Sequence, residues 1–173
     1  MDQESTTGAP AGLFRRLAAL LYDVLLAIAI AFIVTAAMLP LTHGEAILSA
    51  TQGLVGHLYH AVLLLAVFAY FGSCWTRSGQ TLGMKAWGIR IEANDGRRLR
   101  WGESLLRFVL GAAVAWMAVI GAWYLRRPEG PLAIAAAIAM IAPALLNFAW
   151  IPIGTEGRSL QDYAGHLRVV RTN

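Results

Sequence analysis

The chain has 173 residues, of which 58% are hydrophobic and only 14% charged, against about 45–50% and about 25% in soluble domains. This excludes an ordinary soluble enzyme or nucleic-acid-binding module and implies a chain whose main partner is the lipid bilayer. The net charge of +4 comes from arginines placed between apolar runs, as at a membrane surface. The single cysteine, Cys74, leaves no internal disulfide and no cysteine metal cluster.

In chain order, residues 1–12 read as a disordered N-terminus and residues 13–171 as a single membrane domain. The first apolar run, residues 17–39, begins after Arg15 and Arg16 and ends at Pro40. It is too long for a signal-peptide core and contains an acid, Asp23, so it reads as a spanning helix. Three further runs, residues 58–75, 105–125 and 132–151, also approach the roughly 20 residues that cross a bilayer as a helix. The predicted fold is therefore all-α integral membrane, with four transmembrane helices.

Orientation follows from the basic residues. Arg15 and Arg16 precede the first helix, whereas the loop of residues 41–57 has neither lysine nor arginine. The stretch between the second and third helices carries Arg77, Lys85, Arg90, Arg97, Arg98, Arg100 and Arg107, and the tail carries Arg158, Arg168 and Arg171. Arg126 and Arg127 oppose this asymmetry and are outnumbered. The expectation is an N-in/C-in protein of the cell (inner) membrane, with both termini and the long middle loop in the cytoplasm.

That middle loop has strand-like alternation over residues 86–93, turn residues at Asn94-Asp95-Gly96, and alternation again over residues 97–101. The pattern predicts a small cytoplasmic β-hairpin between helices two and three. The tail, residues 167–170, is β-prone and is expected to pair with the hairpin. The basic side chains of this region would face anionic lipid head groups.

Three stretches resemble the RDD family of membrane proteins, named for one arginine and two aspartates. The first is Arg16 with Asp23 seven positions on. The second is Gly79-Gln80-Thr81-Leu82-Gly83-Met84-Lys85 followed by Gly88-Ile89-Arg90-Ile91, similar to the family's GQTxGK…GxRV segment. The third is Asp162-Tyr163-Ala164-Gly165, similar to its D-x-x-A-G ending. Met84 stands where lysine is usual, leaving Lys85 to substitute, while Leu82 and His166 replace the common proline and threonine. The resemblance spans about residues 13–171. It implies a multi-pass protein whose polar cluster is Arg16, Asp23 and Asp162, whose motif loop is Gly79, Gln80, Thr81, Gly83, Lys85, Gly88 and Arg90, and for which transport or scaffold roles are both expected.

Helix geometry refines the cluster. Seven residues place Arg16 and Asp23 on one face about 10 Å apart along the axis, and side chains lean toward the helix N-terminus. A direct bond between them is strained, so Asp162 is the better partner for Arg16, through a charge-assisted bond that would clamp the tail to helix one. Asp23 then needs another donor, for which Asn147 on helix four and Arg107 on helix three are the candidates. An acid at membrane depth is either paired for assembly or used in proton or ion traffic.

Weaker patterns carry less. The segment Gly79-Gln80-Thr81-Leu82-Gly83 lacks a phosphate-loop pattern and reads as a tight re-entrant turn. His57 and His60 with His43 and Glu45 do not make a recognised metal set, so no metal and no cofactor is expected. No nucleophile–base or paired-carboxylate arrangement points to an enzyme. The alanine-rich fourth helix permits close packing on a neighbour or a second copy. Two functions are carried forward: a small transporter or ion/proton exchanger working as an oligomer, and a non-catalytic scaffold or accessory subunit docking a membrane-protein partner.

Overall fold

In the computed structural model, residues 9–42, 53–126, 130–153 and 158–172 are described. Among these described residues, four helices are long and apolar enough to cross a membrane. They are α1 (Leu13–Met38), α2 (Leu54–Arg77), α4 (Trp101–Leu125) and α5 (Pro131–Ile153). α1, α2 and α4 begin four residues before their predicted apolar runs and α2 and α5 end two residues after theirs, while α1 stops one residue short. Between α2 and α4 lie the short helix α3 (Leu82–Ala86) and strand β1 (Ile89–Ala93). After α5 come the short helix α6 (Leu160–Ala164) and strand β2 (Leu167–Arg171).

The spanning helices are apolar almost all round, and most of their large side chains remain exposed within the chain. A helix of that kind is solvated by lipid rather than by protein. Contacts run from α1 to α2, from α2 to α4, and most extensively from α4 to α5. The last pair approaches closely because Gly121 meets Ala137: a Cβ on Gly121 would lie 2.7 Å from the Ala137 carbonyl oxygen. Small residues at the crossing allow this packing, the expected use of the alanine-rich helix.

The compact core sits at one end of the bundle, hereafter the motif end. Here Ala11, Trp75, Ile89, Ile91, Leu99, Leu167 and Val169 are buried together. The ends of α2 and α5 and the starts of α1 and α4 converge on it, joined by β1, β2 and the short helices. Strands β1 and β2 form a two-stranded antiparallel sheet in the register Ile89↔Arg171 to Ala93↔Leu167. The cross-strand neighbours Glu92 and Arg168 form an ion pair at 2.8 Å, a favourable pair on one sheet face.

The sheet thus takes its second strand from the tail, not from residues 97–101 as the predicted hairpin would. The Asn94-Asp95-Gly96 turn does form, with Gly96 at φ 82° and its N–H donating to the Ala93 carbonyl at 2.9 Å. Residues 97–100 are then drawn into the cap of α4. The Arg100 N–H donates to Glu103 at 2.8 Å, Arg97 donates to both Glu103 oxygens, and Leu99 is buried in the core. Among the described residues, one backbone bond, from the Ala93 N–H to the Arg97 carbonyl at 2.9 Å, links this stretch to β1.

The far edge of β2 is held by the segment before α1. The Ala11 N–H donates to the Val169 carbonyl at 3.0 Å, and the Arg171 N–H donates to the Ala9 carbonyl at 2.8 Å. Residues 9–12, expected to belong to a disordered N-terminus, are therefore fixed along β2; residues 1–8 lie outside the described residues.

Candidate functional site: an arginine–aspartate clamp and a separate membrane carboxylate

Asp162 is fully buried at the motif end and each of its oxygens meets a different arginine. Arg16, from the first turn of α1, donates to Oδ2 at 2.7 Å, and Arg107, from α4, donates to Oδ1. The local fold aims the acid. Ser159 precedes α6, its hydroxyl accepts from the Asp162 N–H, and the Asp162 carboxylate accepts from the Ser159 N–H, both at 3.3 Å. This reciprocal arrangement is a capping box. Arg16 also donates to the Ala11 carbonyl at 3.0 Å and the Val169 carbonyl at 3.4 Å, while the Arg107 guanidinium lies 5.5 Å from the Trp75 ring centre, within cation–π range. One carboxylate thus joins α1, α4, α6 and the approach to β2. Burial by itself disfavours charge on Asp162, yet Arg107 and Arg16 outweigh it and hold the carboxyl below the usual carboxylate range.

Asp23 lies two turns further along α1 and has different company. The Thr81 hydroxyl donates to its Oδ2 at 2.6 Å, and the Gly83 N–H donates to its Oδ1 at 3.1 Å. The same Thr81 oxygen accepts from the Met84 N–H at 3.1 Å and so caps α3. Among the described residues Asp23 has no ion pair, and both of these donors are neutral. Asp23 and Ala19 are the buried residues of α1, and α3 crosses that face so closely that a Cβ on Gly83 would collide with the Ala19 carbonyl and the Asp23 carboxylate.

The rest of the motif loop has structural work of its own. Gly79 adopts φ 70°, a conformation favouring glycine, and a Cβ there would lie 2.7 Å from the Ile91 carbonyl oxygen. Its own carbonyl accepts from the Ile91 N–H at 2.8 Å. Gln80 donates from its amide to the Ile89 carbonyl at 2.8 Å, and Gly88 turns the chain into β1 at φ 59°. Arg90 is exposed on β1 and pairs with Glu92 at 3.0 Å. Lys85 is exposed on α3.

A family model described as the RDD family matches residues 10–166. The chain belongs to the RDD family. With its four apolar helices, it is a multi-pass membrane protein. The matched range holds the arginine, both aspartates and the whole motif loop of the RDD pattern, and stops just before β2. No curated protein and no solved structure matches the chain.

The RDD residues thus fall into two groups. Arg16 and Asp162 meet, as helix geometry argued, whereas Asp23 stands apart with the motif loop. The donors expected for Asp23 were Asn147 and Arg107; its donors are instead Thr81 and Gly83, because Arg107 at the start of α4 is taken by Asp162. Asn147 is buried in α5. Sequence reading missed Ser159, although its spacing to Asp162 carries a capping pattern, and it gave Thr81 no role toward Asp23. His57 and His60 lie near the start of α2, with His60 Nδ1 2.7 Å from the Gly56 carbonyl oxygen; His43 and Glu45 lie outside the described residues.

Proposed function

We propose that this protein is a small, non-enzymatic ion or proton exchanger, working as an oligomer, in which Asp23 carries the exchanged proton or cation. The observation that supports this reading is the division of the two aspartates. Asp162 has claimed both arginines, while Asp23, buried in a spanning helix, is held by a hydroxyl and an amide. A hydroxyl can donate to a carboxylate or accept from a carboxylic acid, so the Thr81 pairing tolerates either protonation state. An arginine partner would favour only one. Four helices supply too little material for two moving halves, and a pathway built between copies meets that need. On this reading the motif end and both termini face the cytoplasm at the cell (inner) membrane, as the positive-inside rule expects, with the basic side chains against anionic head groups.

The test is flux in proteoliposomes carrying an imposed proton or cation gradient. Asp23→Asn retains an oxygen that accepts from the Gly83 N–H, and its amide N–H can donate to the Thr81 hydroxyl oxygen in place of the bond that hydroxyl now donates, so stability should change by about 1 kcal/mol while flux is lost. Flux equal to that of the unmodified protein would sink the carrier role.

A second reading is favoured by the structural work found for each motif glycine and for Gln80 and Thr81. On that reading the pattern maintains a membrane scaffold whose motif end docks a partner. A flux-silent protein that co-purifies with one stoichiometric membrane partner, lost when residues 85–101 are replaced by a neutral linker, would select it.

A further inference from the structure

The outer side of the motif end holds an open cleft of about 510 Å³ lined by Phe14, Arg15, Lys85, Ala86, Trp87 and Gly88. Its two cations differ from the five arginines of the motif end that carboxylates hold. Arg16, Arg90, Arg97, Arg107 and Arg168 each pair with a carboxylate, whereas among the described residues neither Arg15 nor Lys85 has an acidic partner. Arg15 is nevertheless positioned: it donates from Nη1 to the Trp87 carbonyl at 3.1 Å. Phe14 packs edge-on against Trp87 with ring centres 5.5 Å apart, forming an aromatic wall.

The setting of the cleft defines its ligand. Phe14 is 73% exposed and Leu82 53% exposed, so large apolar side chains flank the two cations where α1 begins its apolar run. A soluble anion has no use for such flanks, but a lipid has acyl chains to lay on them and a phosphate to offer. The geometry points to a site in which Arg15 and Lys85 bind the phosphate of an acidic phospholipid, with Phe14 and Trp87 against its glycerol and upper acyl region. Gly88 forms the floor at φ 59°, a backbone conformation that favours glycine. This site rests on the placement of the motif end against anionic head groups and is independent of any flux through Asp23.

Native mass spectrometry of the full chain, titrated with phosphatidylglycerol and with phosphatidylcholine, tests it. The expected result is retention of phosphatidylglycerol in preference to phosphatidylcholine, weakened about tenfold or more in Arg15→Gln/Lys85→Gln. The control Arg77→Gln/Arg126→Gln removes the same charge elsewhere and should leave the preference intact. An equal fall in both double variants would show general attraction of lipid to a basic surface and overturn the site. So would an absence of preference in the unmodified protein. Displacement of the lipid by millimolar inorganic phosphate would retain the two cations as a phosphate site but overturn the lipid as its source. Matching circular dichroism of the variants establishes that any change is not unfolding.

Discussion

Replacing Asp162 with asparagine is expected to destabilise the protein by about 3–5 kcal/mol, the usual cost of removing one partner from a buried ion pair. The substitution preserves shape but leaves Arg16 and Arg107 facing each other without an anion, and it weakens the capping box that orders α6. Equilibrium unfolding in mixed detergent micelles measures the effect. The same carboxylate sets an acid limit. Its pKa is lowered in the folded state, so its stabilising contribution is complete above the unfolded value near 3.9. That contribution is lost as pH falls through the lower folded value. Stability should therefore decline below about pH 4 in the unmodified protein. In Asp162→Asn this part of the acid dependence should vanish.

Gly83→Ala is the second large effect. The added methyl would meet the Ala19 carbonyl and lie 2.8 Å from the Asp23 Oδ1. A helix backbone cannot yield as a flexible side chain can, so α3 must lift from α1. Overpacking of this kind costs about 1–3 kcal/mol, and lifting α3 also withdraws the Gly83 N–H and the Thr81 hydroxyl from Asp23. The control is Gly102→Ala at the start of α4, where a Cβ meets nothing within 4 Å; there alanine should be neutral or slightly stabilising, since it is the better helix former. Unfolding curves for the pair, with protease cleavage of residues 79–88 as a local readout, separate a lifted α3 from a general loss of stability. Equal effects from the two substitutions would contradict the close α1–α3 contact.

These effects show where sequence was informative. The four helices were legible because hydropathy over about 20 residues is a local property that bilayer thickness fixes. Strands β1 and β2 were legible from alternation, and so was the pairing of the tail with this region; the absence of a strand at residues 97–101 was not. Alternation at residues 97–101 looked as strand-like as the tail, and only the competition of Glu103 for Arg97 and Arg100 removed that stretch from the sheet. The Arg16–Asp162 pairing followed from the direction of side chains on α1, a geometric rule that holds before the fold is known. The donors to Asp23 did not, because Thr81 and Asp23 are 58 positions apart. Their meeting depends on α3 folding back across Ala19, which no periodicity encodes. Arg107 was correctly placed near the charged cluster and assigned to the wrong acid.

In this chain the three residues that name the RDD pattern do not meet as one triad. The clamp joins Arg16, Arg107 and Asp162 and orders the motif end. Asp23 is attached to the motif loop through neutral donors, apart from the clamp. A lock made of all three residues would couple them strongly to one another. Two independent units would couple within each and not between them.

Double-mutant cycles on stability distinguish these directly. Arg16→Gln with Asp162→Asn should show a coupling of about 1.5–3 kcal/mol, as for residues in one ion-pair network, while Arg16→Gln with Asp23→Asn should be additive within about 0.5 kcal/mol. Comparable couplings in the two cycles would contradict the division and restore a single Arg16–Asp23–Asp162 lock.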